Sequence, residues 1–411
     1  MKPDQESITL NRITLISSIG DYFTIYALMQ ATQQIFGNSI MSAYNIAAQA
    51  LGVCLAGMFG PFFLSKVSLK KLIFLTQLVP ALLLISFLIY INVAQVKTPF
   101  LIYSLTIVVT FMYNLFFTCR EAHSKNVGTT KKEQNILLST IMQNIFTAQM
   151  IGPSLAFFLI TMTRFEIPIL LDASTFVICA VLALRLSPTV VNQKAQNVFN
   201  PLKYLWKDSK LLKIFLMRST AFWIPMSIYN VVIYPLVADA SGKSIIYSVW
   251  TDVAMGIGAV LTVQFFKANV ERLGHKLGTL TCVFNIVMAF CCLLCGIITD
   301  FSGLVFINLF MGIGMGGNAL TTQAVRRHAT TKDNFSEIVS LEVIIGRFNA
   351  WVLGTLTTLL LLRHFFNVQM LMWSCAVVFV VIGILQMDFD TQEEAFESSE
   401  KNHENSLQRS V

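Results

Sequence analysis

Charge is scarce in this chain. Asp, Glu, Lys and Arg make up 12% of its 411 residues, against 55% hydrophobic residues and a mean hydropathy of +0.67. A soluble domain carries about 25% charged residues, so a water-exposed globular surface is excluded and a lipid setting follows. Histidine is scarcer still. His123, His275, His328, His364 and His403 are scattered, whereas a polytopic membrane enzyme gathers His, Asp or Glu at one membrane face to bind a metal or activate a nucleophile. An enzyme is therefore the remote reading, and neither a cofactor nor a metal is expected. Gly312, Gly314, Gly316 and Gly317 follow no strand and precede no Lys-Ser/Thr pair. They read as close helix contact or a bending point, and not as a phosphate loop. A channel filter segment and an ATP-binding domain are both missing. No small-residue cleavage site follows MKPDQESITLNR, so no removable leader is expected. The eight cysteines lie in or beside apolar runs, where they serve as small buried or lipid-facing residues without disulfides.

What is present is a series of twelve apolar runs, among them Leu10 to Gln34, Pro99 to Cys119, Leu137 to Met162, Ser244 to Phe266 and Ser302 to Val325. A spanning helix needs roughly 20 such residues. The longest polar interval, Ser187 to Lys210, falls near the middle with six runs on either side. The expected fold is an all-α polytopic membrane protein of twelve transmembrane helices in two six-helix bundles. Its divisions are an N-tail at 1–9, bundles at 10–186 and 211–387 around a linker at 187–210, and a disordered acidic tail at 388–411. The linker is either a short interfacial helix or a plain tether. Twelve crossings put both termini on one side, and most of the 29 Lys and Arg residues share it. Only Lys97, Arg164, Lys243 and Arg363 fall in the opposite loops. The positive-inside rule makes the termini and the linker cytoplasmic. The net charge of +7 then reports topology and needs no nucleic-acid partner.

The two halves echo each other. KNVGTTKKEQNILLS from Lys125 parallels RRHATTKDNFSEIVS from Arg326, and SKVSLKK at Ser65 parallels ERLGHK at Glu271, at nearly equal offsets.

Glu271, Arg272, Leu273, Gly274, His275 and Lys276 resemble the cytoplasmic turn of the major facilitator superfamily, where glycine permits the tight turn and the charges can network and cap helix ends. The first half holds Ser65, Lys66, Ser68, Leu69 and Lys70 in those slots and lacks the acid and the glycine. Gly152 and Pro153 resemble the Gly-Pro of the superfamily's antiporter motif. Leu171 to Thr175, LDAST, and the linker PLKYLWKDSK resemble the branch of macrolide-efflux and enterobactin-type siderophore exporters. The resemblance implies two bundles rocking about a central site lined by helices 1, 4, 7 and 10, usually driven by proton exchange. It also implies a multi-pass protein of the bacterial inner membrane.

Ionisable groups inside spans cost about 2.5 to 3.5 kcal/mol at mid-helix on insertion scales, so each needs a reason. Asp21 stands about eleven residues, or roughly 16 Å, into the first run. It is either the leading proton carrier or an Asp bonded to a neighbouring helix. Asp252, flanked by Gly256 and Gly258, and Glu342 are further proton-site candidates. Asp172 reads as structural. Tyr22, Tyr26, Gln30 and Gln33 share one helical face that suits a mixed-polarity ligand or a polar helix contact. Other cavity candidates are Tyr113, Asn114, Arg218, Trp223, Asn230, Asn308, Asn318 and Arg347, with Asn45 and Gln49 on one face. Glu342 and Arg347 lie about 140° apart around a helix and are poorly placed to pair. The expected function is secondary transport, with proton-coupled efflux of a drug-like compound or siderophore ahead of import of a nutrient or iron chelate. The expected partners are the bilayer, protons and a small-molecule substrate, with the protein itself a monomer.

Overall fold

Lipid offers no hydrogen bonds to a backbone, so each crossing must close its own, and long helices result. The computed structural model describes residues 3–94, 98–127, 131–187, 210–242, 245–273, 277–329 and 335–385. Among these all regular structure is helical. In order the helices are α1 Pro3–Phe36, α2 Ser39–Lys66, α3 Leu69–Ala94, α4 Pro99–Val127, α5 Lys131–Met162 and α6 Glu166–Ala183. There follow α7 Lys210–Ser241, a 3-10 turn Ile245–Ser248, α8 Val249–Leu273, α9 Leu277–Cys295, α10 Phe301–Ala329, α11 Phe335–Leu362 and α12 Val368–Leu385. The linker core at 188–209 and the tail after 385 lie outside the described residues, as do Gly274, His275 and Lys276 of the basic turn. Glu271 and Arg272 close α8, and their side chains are also outside the description.

Several helices outrun the apolar stretches that announce them, all at the end of the bundle where the chain begins. α1 starts at Pro3 rather than Leu10, α4 continues past Cys119 to Val127, α5 starts before Leu137, and α8 and α10 run past Phe266 and Val325. The expected N-tail is thus largely the first turns of α1. Apolar runs mark the hydrocarbon, whereas helices continue wherever Glu, Lys and Gln keep the backbone helical. Pro3 near the helix start and Asp4 and Glu6 in the first turns suit a helix N-terminus. Between α1 and α2, Gly37 takes a left-handed φ of 66°. Its N–H returns to the Gln33 carbonyl at 2.7 Å. Asn38 then caps α2, its Oδ1 accepting from the Ile40 N–H at 2.8 Å.

Packing sorts the helices into two groups of six. In the first, α1 is enclosed by α2, α4, α5 and α6, while α3 joins α4 and α6. In the second, α10 is flanked by α7, α8 and α9, and α7 by α11. α12 lies against α7 and α9, with Phe379 beside Phe222 and Trp373 at Gly296. The groups meet along α2 with α11, α5 with α8, and α2 with α7. Among the described residues eleven helices, α2 to α12, are long and apolar enough to cross a membrane. α1 is richer in Ser, Thr and Gln and packs against α2, α4, α5 and α6. The outer helices present bare apolar faces, such as Leu82, Ile85 and Ile89 on α3 and Val377, Val381 and Ile384 on α12. Patches of that extent belong in lipid.

Two crossings depend on missing side chains. A Cβ at Gly258 of α8 would fall 2.0 Å from the Leu309 carbonyl, and one at Gly312 of α10 would fall 2.0 Å from the Met255 carbonyl. At the seam between the groups, a Cβ at Gly256 would lie 2.8 Å from the Met150 nitrogen of α5. The glycine run of α10 is therefore helix contact, with Gly314 and Gly317 receiving Phe284 and Met288 of α9. Overpacking of this kind costs about 1–3 kcal/mol. Gly312→Val is expected to lower the apparent melting temperature of the detergent-purified protein. Gly60→Ala, whose new methyl would meet its nearest atom at 3.4 Å, should leave it unchanged or raise it. Equal losses for the two would refute the close-crossing account.

Candidate functional site

The two groups of helices enclose a central cavity of about 450 Å³, within the range of small-molecule sites. Eight helices line it, namely α1, α2, α4, α5, α7, α8, α10 and α11. Among the described residues, α3, α6, α9 and α12 contribute nothing to it. The first, fourth, seventh and tenth helices are there as expected, and the four seam helices complete the wall.

On α1 the lining residues are Ser18, Asp21, Tyr22, Thr24, Ile25 and Leu28. Tyr22 is seated by Gly152 of α5, where a Cβ would stand 2.7 Å from the ring. The Gly-Pro pair at Gly152 and Pro153 thus includes the glycine that admits a cavity aromatic. Asp21 lies beside Tyr113 of α4, and its Oδ2 is buried without a hydrogen-bond partner. The Tyr113 hydroxyl and Ser18 Oγ are 2.8 Å apart. Behind Asp21, α6 brings up a second carboxylate, Asp172, as its charged neighbour. Thr24 Oγ1 donates to Asp172 Oδ2 at 2.5 Å and Thr175 Oγ1 to Oδ1 at 3.1 Å. Gly20 makes room, since a Cβ there would meet Asp172 Oδ1 at 2.3 Å.

The opposite wall carries Trp223, Ser227, Asn230 and Tyr234 of α7 at helical spacing, Asp252 of α8 and Arg347 of α11. The Arg347 guanidinium carbon stands 3.5 Å from the Trp223 ring centre, a stacked cation–π contact. Tyr113, Asn114, Asn45 and Gln49 complete the polar lining from α4 and α2. Asn45 also ties three helices together. Its amide donates to Thr32 Oγ1 at 3.1 Å, and its Oδ1 accepts from Thr106 at 3.2 Å.

Several polar side chains expected at the cavity are placed elsewhere. Tyr26 is buried, and its hydroxyl donates to Asp252 Oδ2 across the seam between the two groups, where Tyr234 also donates at 3.1 Å. Gln33 Oε1 accepts from the Ile245 N–H at 2.9 Å, a second bond across that seam. Gln30 is half-buried and outside the lining. The face through Tyr22, Tyr26, Gln30 and Gln33 is thus mainly a contact face at the seam, where Phe157 of α5 also meets Tyr247 and Trp250. Asn318 turns to α9, its amide donating to Asn285 Oδ1 at 3.3 Å, and Asn308 accepts from Tyr229. Glu342 is buried on α11 outside the lining, within electrostatic reach of Arg347. The Arg218 side chain lies outside the described residues. Sequence reasoning passed over Gly20, Thr24, Tyr234 and Gly346. The only available cue was their closeness in sequence to candidates already chosen.

Twelve helices in two groups of six around a shared cavity define a polytopic membrane protein with the major facilitator fold. The human organic anion transporter MFSD10 (TETRAN), a crystal structure, superimposes with a TM-score of 0.71 at 9% identity, over 94% of this chain and 100% of that one. At that identity the likeness is one of fold. Neither the protein-family models nor the curated sequences contain a match.

Tyr26 and Tyr234 hold the same carboxylate oxygen, and loss of one buried donor costs about 1–3 kcal/mol. Tyr26→Phe is expected to lower the melting temperature in detergent measurably. Tyr44→Phe keeps its ring packed on Tyr103 and should change it little. A Tyr26→Phe protein as stable as the parent would remove the bond from the account of the seam.

Proposed function

We propose that this chain is a secondary active transporter that exports an amphipathic small molecule by alternating access, in exchange for protons. The observation that carries the reading is the cavity itself, which draws its lining from both helix groups. A site shared by two bodies is exposed to either side of a membrane when the bodies rock, and that is the geometry alternating access requires. Residues 10–186 and 211–387 are the two moving halves. Glu271, Arg272, Gly274 and Lys276, which resemble the superfamily's cytoplasmic signature, are in this reading the residues that check their motion. Both termini are cytoplasmic, in the inner membrane of a bacterium, as the distribution of Lys and Arg and the resemblance of the basic turn favour.

Asp21 is the proton carrier of this reading. It reaches the cavity wall, its Oδ2 lacks a hydrogen-bond donor, and it stands next to a second carboxylate. A carboxylate that faces the cavity with an oxygen left without a donor is the group on which this reading places the proton. Asp252 and Glu342 are the secondary candidates. The substrate is a drug-like compound or a siderophore, for which the aromatic and amide lining is suited. The transport of organic anions by the fold neighbour is consistent with such a cargo.

In proteoliposomes, an imposed pH gradient is expected to drive substrate flux and substrate flux to move protons. Asp21→Asn should uncouple the two while still eluting as a folded protein. In cells, deletion of the gene under iron starvation should deplete iron-chelating activity from the medium. The wild-type gene should restore it and the Asp21→Asn form should not. Coupling unchanged in Asp21→Asn sinks the carrier assignment. Unchanged secretion removes the siderophore, and vesicles of both orientations then separate drug export from import.

A further inference from the structure

We propose that Arg347, seated on Trp223, is the subsite for the anionic group of the ligand, so that the cavity takes an aryl carboxylate or a like oxyanion in preference to an amine. The inference rests on the cavity being a ligand site, as in the transport reading, and adds the ligand's charge and the residue that reads it.

The unit is built around a glycine. A Cβ at Gly346 would fall 2.4 Å from Trp223 Cδ1, so only glycine lets the indole lie flat against α11. The indole in turn fixes the next residue, Arg347, by stacking at 3.5 Å. Stacking occupies the face of the guanidinium and leaves its in-plane N–H edge, whose paired donors match the two oxygens of a carboxylate. Among the described residues no hydrogen bond or ion pair forms to that edge, and Arg347 lines the cavity. Glu342 of the same helix is its charged neighbour but stays outside the lining, so the edge that faces the cavity is left for an anionic group of the ligand. Asn230, two turns along α7 from Trp223, adds an amide to the same cavity. Ser227 between them is spent on its own helix, donating to the Trp223 carbonyl at 2.6 Å.

Two carboxylates also line the cavity and would favour a cation, but each is less available. Asp252 Oδ2 already accepts from two phenols. Asp21 Oδ2 lies beneath the wall's surface, and its charge is opposed by Asp172 behind it. The apolar remainder, with Phe117, Phe146, Met255 and Met315, suits a flat hydrophobic body.

The test uses the purified full-length protein in nanodiscs and three probes of one shape, naphthylacetate, the neutral naphthylacetamide and naphthylmethylammonium, with binding measured by titration calorimetry. Naphthylacetate is expected to bind roughly 10- to 100-fold more tightly than the other two. Arg347→Gln should erase that difference and Arg347→Lys retain part of it, because charge survives without the fork. Trp223→Leu should weaken naphthylacetate severalfold, since the guanidinium loses its platform. Equal affinities in the wild-type protein, preference for the ammonium, binding of none of the three, or a preference that survives Arg347→Gln would each overturn the assignment. The wild-type comparison stands even if a variant does not fold. Binding of naphthylacetate through Arg347 without flux in proteoliposomes would keep the subsite and remove the transport reading. Flux without a head-group preference would do the reverse.

Discussion

A charge in the hydrocarbon is stable only where protein groups replace the water it has lost, and the interior of this molecule is arranged around that requirement. Asp172 takes two threonine hydroxyls, one from α1 and one from its own helix. Asp252 takes two phenols, one from each helix group. Arg347 takes an indole face. Each of these charges thereby joins helices that apolar packing alone would leave free to slide, because lipid tails are as apolar as leucine and supply little force between helices.

Glycine sets how close those partners come. Gly20 brings α1 onto Asp172, Gly152 brings Tyr22 to the cavity edge, and Gly346 lays Trp223 under Arg347. In each case the glycine is on one helix and the functional group on another or one residue away. The polar wall is therefore as much a product of absent side chains as of present ones. Close crossing of α8 and α10 through Gly258 and Gly312 places Asp252 of α8 and Met315 of α10 on the same wall.

The twelve-helix plan was legible because apolar runs of spanning length leave little freedom, whereas the shared cavity was expected only from the resemblance of the basic turn and the Gly-Pro pair to a known superfamily. Asp21, Tyr22, Tyr113, Trp223, Asn230, Asp252 and Arg347 were all chosen from sequence and all reach the cavity. Helical periodicity failed on Tyr26 and Gln33 because a polar face records that a helix needs partners and says nothing of which partners. Those residues bond across the seam. Asn318 misled for the same reason, its amide satisfied by Asn285 of α9. Helix ends were misplaced where charged turns continue past the hydrocarbon, as on α1 and α4. The glycine roles were hidden because each is defined by a helix distant in the chain.

The placement of Asp252 connects the seam to the cavity. Its carboxylate lines the cavity while accepting from Tyr26 of the other helix group and Tyr234 of its own. A carboxylate is the stronger acceptor when ionised, so the bond that holds α1 to α8 is tighter when Asp252 carries its charge. Anything that neutralises that charge, a proton or a cationic group entering the cavity, weakens a contact between the two halves. An anion drawn to Arg347 would bring a negative charge into the cavity that Asp252 also lines. In the proposed cycle, the occupant of the cavity and the closure of the seam are thus linked through a single side chain.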